Sequence, residues 1–211
     1  MFTRIVVEEM PPSHLVSIRL LLAALLLGPI FINKEELVKM SKAIPFMMLL
    51  GIINAALPFF LFSWSAQELS AGMLSILNGT QPLLALIIAI ALFRQNTTFL
   101  QIIGLFLGFI GLLIFIGLDE IQVIFFPVSL CLIGAFCYAY ANNILFKLNH
   151  IKSSALASAT MLSGFIFSIP LFLSEPQFFS FDLSLKAYFS ILFLGLVSVS
   201  YTHLTLPTIA V

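Results

Sequence analysis

Apolar runs of about twenty residues alternate with short polar links along the whole chain. Runs near 14–32, 44–66, 70–93, 98–118, 123–146 and 153–174 are each long enough to cross a hydrocarbon layer of about 30 Å. A seventh starts near 187 and is interrupted. The links near 33–43, 67–69, 94–97, 119–122, 147–152 and 175–186 are short. Successive helices are therefore expected to run antiparallel, because irregular backbone in lipid would leave its N–H and C=O groups unsatisfied. The pattern predicts an all-α integral membrane protein, a polytopic helical bundle.

Composition agrees with that reading and narrows it. Of 211 residues, 61% are hydrophobic and 9% charged, where a soluble domain carries about 25% charged residues. The formal net charge is zero, so nothing suggests a nucleic-acid partner; the expected surroundings are a lipid bilayer. Cys131 and Cys137 share one apolar run at a spacing that fits neither zinc nor a disulfide framework, and read as small packing residues. The opening FTRIVVEEM lacks the charged-then-apolar-then-small order of a cleavable signal peptide. No HExxH, GxSxG, GxGxxG or P-loop pattern occurs. An enzyme, a metal and a cofactor are accordingly not expected.

The cations orient the bundle. Lys34, Lys39, Lys42, Arg94, Lys147 and Lys152 fall in alternate links, which marks that side as cytoplasmic. The opposite links hold Lys186 with Glu8, Glu9, Glu68, Asp119, Glu120, Glu175 and Asp182. The short apolar stretch 1–7 before Glu8 then reads as the end of a helix rather than a whole span.

Three stretches resemble one family. RIVVEEMPPSHLVSIRLLLAALLL (Arg4–Leu27) looks like the junction of the first and second helices of EamA-type permeases of the drug/metabolite transporter superfamily, with Pro11 and Pro12 in the external turn and Arg19 in an Ala/Leu-rich second helix. Asn54–Phe93 resembles the third and fourth helices, including a tight link and the bending Pro82. Phe99–Gly117 resembles the Gly-rich fifth helix. Where the family often has an acid at the cytoplasmic end of the fourth helix, this chain has Gln95 beside Arg94.

The resemblance implies a ten-helix transporter built from two inverted five-helix halves in the cell (inner) membrane. Residues 1–118 would be the first half, its first helix truncated, and 119–198 the start of the second: helices six, seven and part of eight. IPFMMLLGIIN (Ile44–Asn54) and LKAYFSILFLGLVS (Leu185–Ser198) form an internal echo in which Gly51 matches Gly195. Val199–Thr208, VSYTHLTLPT, translates back into a run resembling the transposase mosaic end and adapter of shotgun sequencing libraries. On that reading 199–211 is an adapter artefact, and the chain is a fragment that does not transport alone.

The expected function is export or exchange of a small metabolite by alternating access. A polytopic enzyme acting on lipids and a non-transporting helical scaffold are the alternatives. Polar groups at lipid depth are costly and so mark candidate substrate contacts. They are Asn54 beside Pro58 in the third helix, and Asn78, Gln81 and Pro82 in the fourth. Trp64 lies nearer the external end, and Tyr138 and Asn142 are in the sixth helix. Pro58 and Pro82 are the expected helix bends. Helix–helix hydrogen bonding is the competing role for each amide. Arg19, the cation inside a complete span, is expected to snorkel to the external headgroups, with attraction of an anionic substrate group as the alternative. His14 and His150 read as interface anchors. Gly104, Gly108 and Gly111 read as close helix packing, either between the halves or in a homodimer.

Overall fold

The computed structural model describes residues 2–28, 38, 41, 43–116, 124–148, 151–175 and 183–198. Among them eight helical elements follow in chain order, with no strand. They are α1 (Phe2–Val7), α2 (Pro12–Leu27), α3 (Ile44–Ser65), α4 (Ala71–Ala91), α5 (Phe99–Ile116), α6 (Phe125–Lys147), α7 (Ser153–Leu173) and α8 (Leu185–Leu192, continued by a π-helical turn Phe193–Ser198). Helices α3, α4, α6 and α7 are long and apolar enough to cross a membrane; the described parts of α2, α5 and α8 are shorter. Helix existence and order follow the hydrophobic pattern, and this is a polytopic helical membrane protein. His150, Asp119, Glu120, Asp182, the link lysines 34, 39 and 42, and the adapter-like stretch lie outside the described residues.

Local chemistry explains each joint. Pro12 opens α2 where a missing N–H costs nothing. Ser70 caps α4 by accepting from the Met73 N–H at 3.1 Å. Thr98 and Gln101 form a reciprocal box at the start of α5: the Thr98 N–H donates to Gln101 Oε1 at 2.9 Å, and the Gln101 N–H to Thr98 Oγ1 at 3.4 Å. The turn into that link uses Arg94 at φ 51°, and the Gln95 N–H reaches back across it to the Ala89 carbonyl at 3.0 Å.

Two helices are interrupted where proline requires it. In α3 a π turn, Ile52–Ala56, precedes Pro58, which sits at the start of the renewed α-helix Leu57–Ser65. A proline ring inside an α-helix clashes with the carbonyl four residues back, here Asn54, and the widened turn carries the chain around that clash. In α4 the helix stops at Gly79 and restarts at Gln81, so Pro82 again falls in a first turn. Both prolines thus stand in the first turn after an interruption.

Helix α7 lies along α2 and α3 at the centre of the bundle. Hydroxyls tie it to both: Ser17 donates to the Ser168 carbonyl at 3.3 Å, Ser158 to the Leu27 carbonyl at 3.0 Å, and Ser163 to the Met47 carbonyl at 2.9 Å. The closest approach is at Gly51, where an added Cβ would sit 2.1 Å from Ser163 Oγ and 2.6 Å from the Gly164 backbone nitrogen. Gly104, Gly108 and Gly111 differ: a Cβ at any of them meets nothing within 4 Å. The expected packing at that stripe is not made among the described residues. Helix α5 has few neighbours and leaves Phe99, Leu107 and Ile114 outward, as a lipid-facing helix does.

The two ends of the bundle are held differently. At one end Ala43, Phe93, Leu148 and Ile151 gather beside the cation-rich links. At the other, the α1–α2 turn meets the start of α8: Glu9 accepts from the Ser184 N–H at 2.7 Å and from its hydroxyl at 2.6 Å. Ser184 Oγ in turn caps α8 through the Ala187 N–H at 3.2 Å. These bonds hold the Glu9 carboxyl below its usual range.

Candidate substrate site

The π turn of α3 packs against α2, α6 and α7, and polar side chains from three of these four helices collect around it. Arg19 of α2 is 7% exposed, and its guanidinium lies over the Phe59 ring, with Cζ 4.4 Å from the centroid. Phe59 meets the Tyr138 ring of α6 at 6.2 Å between centroids, and Phe62 meets the same ring at 6.2 Å. The Tyr138 hydroxyl lies within electrostatic reach of the guanidinium. Asn54, in the π turn itself, is 3% exposed. Arg19 Nε and Asn54 Nδ2 are both buried without a hydrogen-bond partner among the described residues, as is Ser63 Oγ one turn beyond Phe59.

This corrects the expected outward reach of Arg19. The side chain turns into the bundle, because Phe59 offers its guanidinium an aromatic face there. No Asp or Glu occurs within α2 to α8, and the ion pair found among the described residues is the surface contact Arg4–Glu8 at 3.6 Å. Arg19 is a buried cation with no carboxylate beside it among the described residues.

The other candidates separate from this cluster. Asn78 and Gln81 bond to each other across the break in α4, with Asn78 on an exposed face. Trp64 packs edge-on against Phe126 at 5.2 Å, towards the acidic end. Asn142 is half-buried. Its neighbour Asn143 makes the helix crosslink, donating to the Ala85 carbonyl of α4 at 3.2 Å and to its own Ala139 carbonyl at 2.9 Å. His14 is buried against Phe172, 4.4 Å between ring centroids, rather than facing an interface. Cys131 is buried in the contact of α6 with α4, and Cys137 is half-buried. Phe59 and Ser63 were missed in the sequence; an aromatic directly after Pro58 was the available signal.

A bundle of apolar helices, four of them long enough to span a membrane, around buried polar groups defines a polytopic helical membrane protein. The chain matches the EamA-like transporter family over residues 1–117, and it belongs to that family. It is also 24% identical over 193 residues to the uncharacterized transporter YdfC of Bacillus subtilis (strain 168). That match takes in 90% of this chain, and the chain spans 62% of the relative's length.

Proposed function

We propose that this protein is a secondary transporter that exports or exchanges a small metabolite across the cell membrane by alternating access. The observation that carries the reading is the unpartnered polar cluster of Arg19 and Asn54 beside Tyr138, held where helices meet at a π turn. Buried polar groups left without protein partners cost stability. A passing substrate is what would satisfy them, and broken helices near the membrane centre are where transporters place such sites.

The proposed architecture has two inverted halves, the first over 1–118 and the second beginning at 119. Contacts among the described helices support it. Helix α1 packs on α8 as α6 packs on α3, and α2 packs on α8 as α7 packs on α3. Exchanging α1, α2 and α3 for α6, α7 and α8 maps these contacts onto one another and the α2–α7 contact onto itself, while the α2–α3 contact has no such counterpart. Rocking of one half against the other would then expose the cluster to each side in turn.

The test is flux. Inside-out vesicles from cells making this sequence within a chain of its relative's full length, given a labelled pool of small metabolites, should accumulate a subset of them saturably. Equal accumulation in vesicles lacking the protein would refute the proposal.

A further inference from the structure

Resting on the transport reading above, we propose that Arg19 is the anchor for a substrate carrying a single carboxylate on an apolar body. A buried charge without a counterion is among the most costly arrangements a protein keeps, and breaking up such a pair is strongly destabilising for the same reason. Here no carboxylate occurs in α2 to α8 to supply the counterion. Among the described residues nothing supplies that counterion, and a ligand carboxylate would.

The geometry selects among anions. Phe59 covers one face of the guanidinium and leaves its in-plane N–H groups free, Nε among them. A carboxylate approaching in that plane takes two parallel N–H···O bonds, the arrangement guanidinium favours. Asn54 Nδ2 and the Tyr138 hydroxyl are further donors from the helices around the same π turn. One cation balances one negative charge, whereas a doubly charged phosphate would leave an excess charge buried. Beside these groups the Tyr138 ring meets both Phe59 and Phe62, which suits an apolar or aromatic body.

The test uses the full chain in lipid nanodiscs, with thermal unfolding followed by the fluorescence of Trp64, the one tryptophan in the sequence. Benzoate, its uncharged isostere benzamide, and inorganic phosphate are the probes. Benzoate should raise the melting temperature saturably, while benzamide and phosphate should not. Arg19→Met should weaken benzoate binding at least about tenfold and raise the ligand-free melting temperature, because it removes an unpaired buried charge. A merely structural arginine would lower it. Arg19→Lys, which keeps the charge without the planar fork, should bind benzoate more weakly than the native chain and more tightly than Arg19→Met. Benzamide or phosphate binding as tightly as benzoate would overturn the proposal, as would unchanged benzoate binding in Arg19→Met. Benzoate held at Arg19 without vesicle flux supports this site and sinks the transport reading. Saturable flux confined to neutral or cationic metabolites, with no benzoate bound, does the reverse.

Discussion

Replacing Gly51 with alanine should separate α3 from α7, while the same change at Gly104 should not destabilise the protein. Both glycines lie inside apolar helices, and nothing in their neighbours' composition tells them apart. At Gly51 the new methyl would lie 2.1 Å from Ser163 Oγ, 2.6 Å from the Gly164 nitrogen and 2.7 Å from Ser163 Cβ, against an ordinary separation of about 3.5–4.0 Å between nonbonded carbons. The serine hydroxyl could swing aside, but the backbone nitrogen cannot, so the helices must part by about an ångström. Overpacking of that kind costs about 1–3 kcal/mol. Moving Ser163 also strains its bond to the Met47 carbonyl, and interhelical bonds in membranes contribute about 0.6 kcal/mol. Alanine's better helix propensity returns about 1 kcal/mol. The balance is a loss of about 2 kcal/mol, roughly 30-fold in the folded-to-unfolded ratio. At Gly104 there is no clash to set against the propensity gain, so stability should rise by about 0.5–1 kcal/mol. Unfolding in mixed micelles of dodecyl maltoside and increasing dodecyl sulfate, read by circular dichroism, measures both. Because the backbone nitrogen remains, the double change Gly51→Ala with Ser163→Ala should recover little. Native stability in Gly51→Ala, or equal damage at the two sites, would refute the close-contact argument.

Glu9→Gln should flatten the acid limb of the stability profile. The Ser184 bonds lower the pKa of Glu9 in the folded state, so their contribution is fully present above the unfolded value and is lost as pH falls through the lowered one. Melting temperatures of the native chain and the variant, compared across the acid range, would show this; parallel curves would count against the contact. Asn143→Leu removes the bond from α6 to the Ala85 carbonyl and should cost about 0.6 kcal/mol in the same micelle assay, whereas Asn142→Leu should leave α4 and α6 joined. Thr98→Ala breaks the box that starts α5 and should cost about 1 kcal/mol, seen as loss of amide-exchange protection in the first turn of α5.

The helices were legible because a membrane imposes length and apolarity on each of them, and a proline or capping serine marks the starts of α2, α3, α4 and α8. Pro12, Pro58 and Pro82 each stand in a first helical turn. The packing partners were not legible. Gly104, Gly108 and Gly111 have the spacing of a packing stripe, while Gly51 and Gly164 stand alone in their helices, yet the second pair makes the contact. Spacing within one helix says which face is smooth; it does not say whether another helix lies against it. The same limit explains Arg19. Its depth was readable, but the choice between headgroups and core depended on Phe59, a residue on another helix that sequence distance does not connect to it.

The echo between Ile44–Asn54 and Leu185–Ser198 acquires physical content from the contacts on either side. Each segment is an eight-residue α-helix running into a π turn, of five residues in α3 and six in α8. Each also places its glycine against another helix: Gly51 against Ser163 and Gly164 of α7, Gly195 against Leu22 of α2. The two registers are not identical, since Gly51 precedes its π turn and Gly195 lies within one. The contacts are unequal too. At Gly51 an added Cβ would lie 2.6 Å from backbone nitrogen, while at Gly195 it would meet Leu22 at 2.8 Å through Cδ1, which can turn away, and at 2.9 Å through Cβ, which cannot. If the two halves rock about the α2–α7 contact, the α3–α7 side is therefore the stiffer hinge and the α2–α8 side the softer one. The softer side is also the one whose outer end is latched by Glu9 on Ser184. A bundle arranged in this way would open first where its packing is most deformable, at the end where its latch is solvent-exposed and titratable.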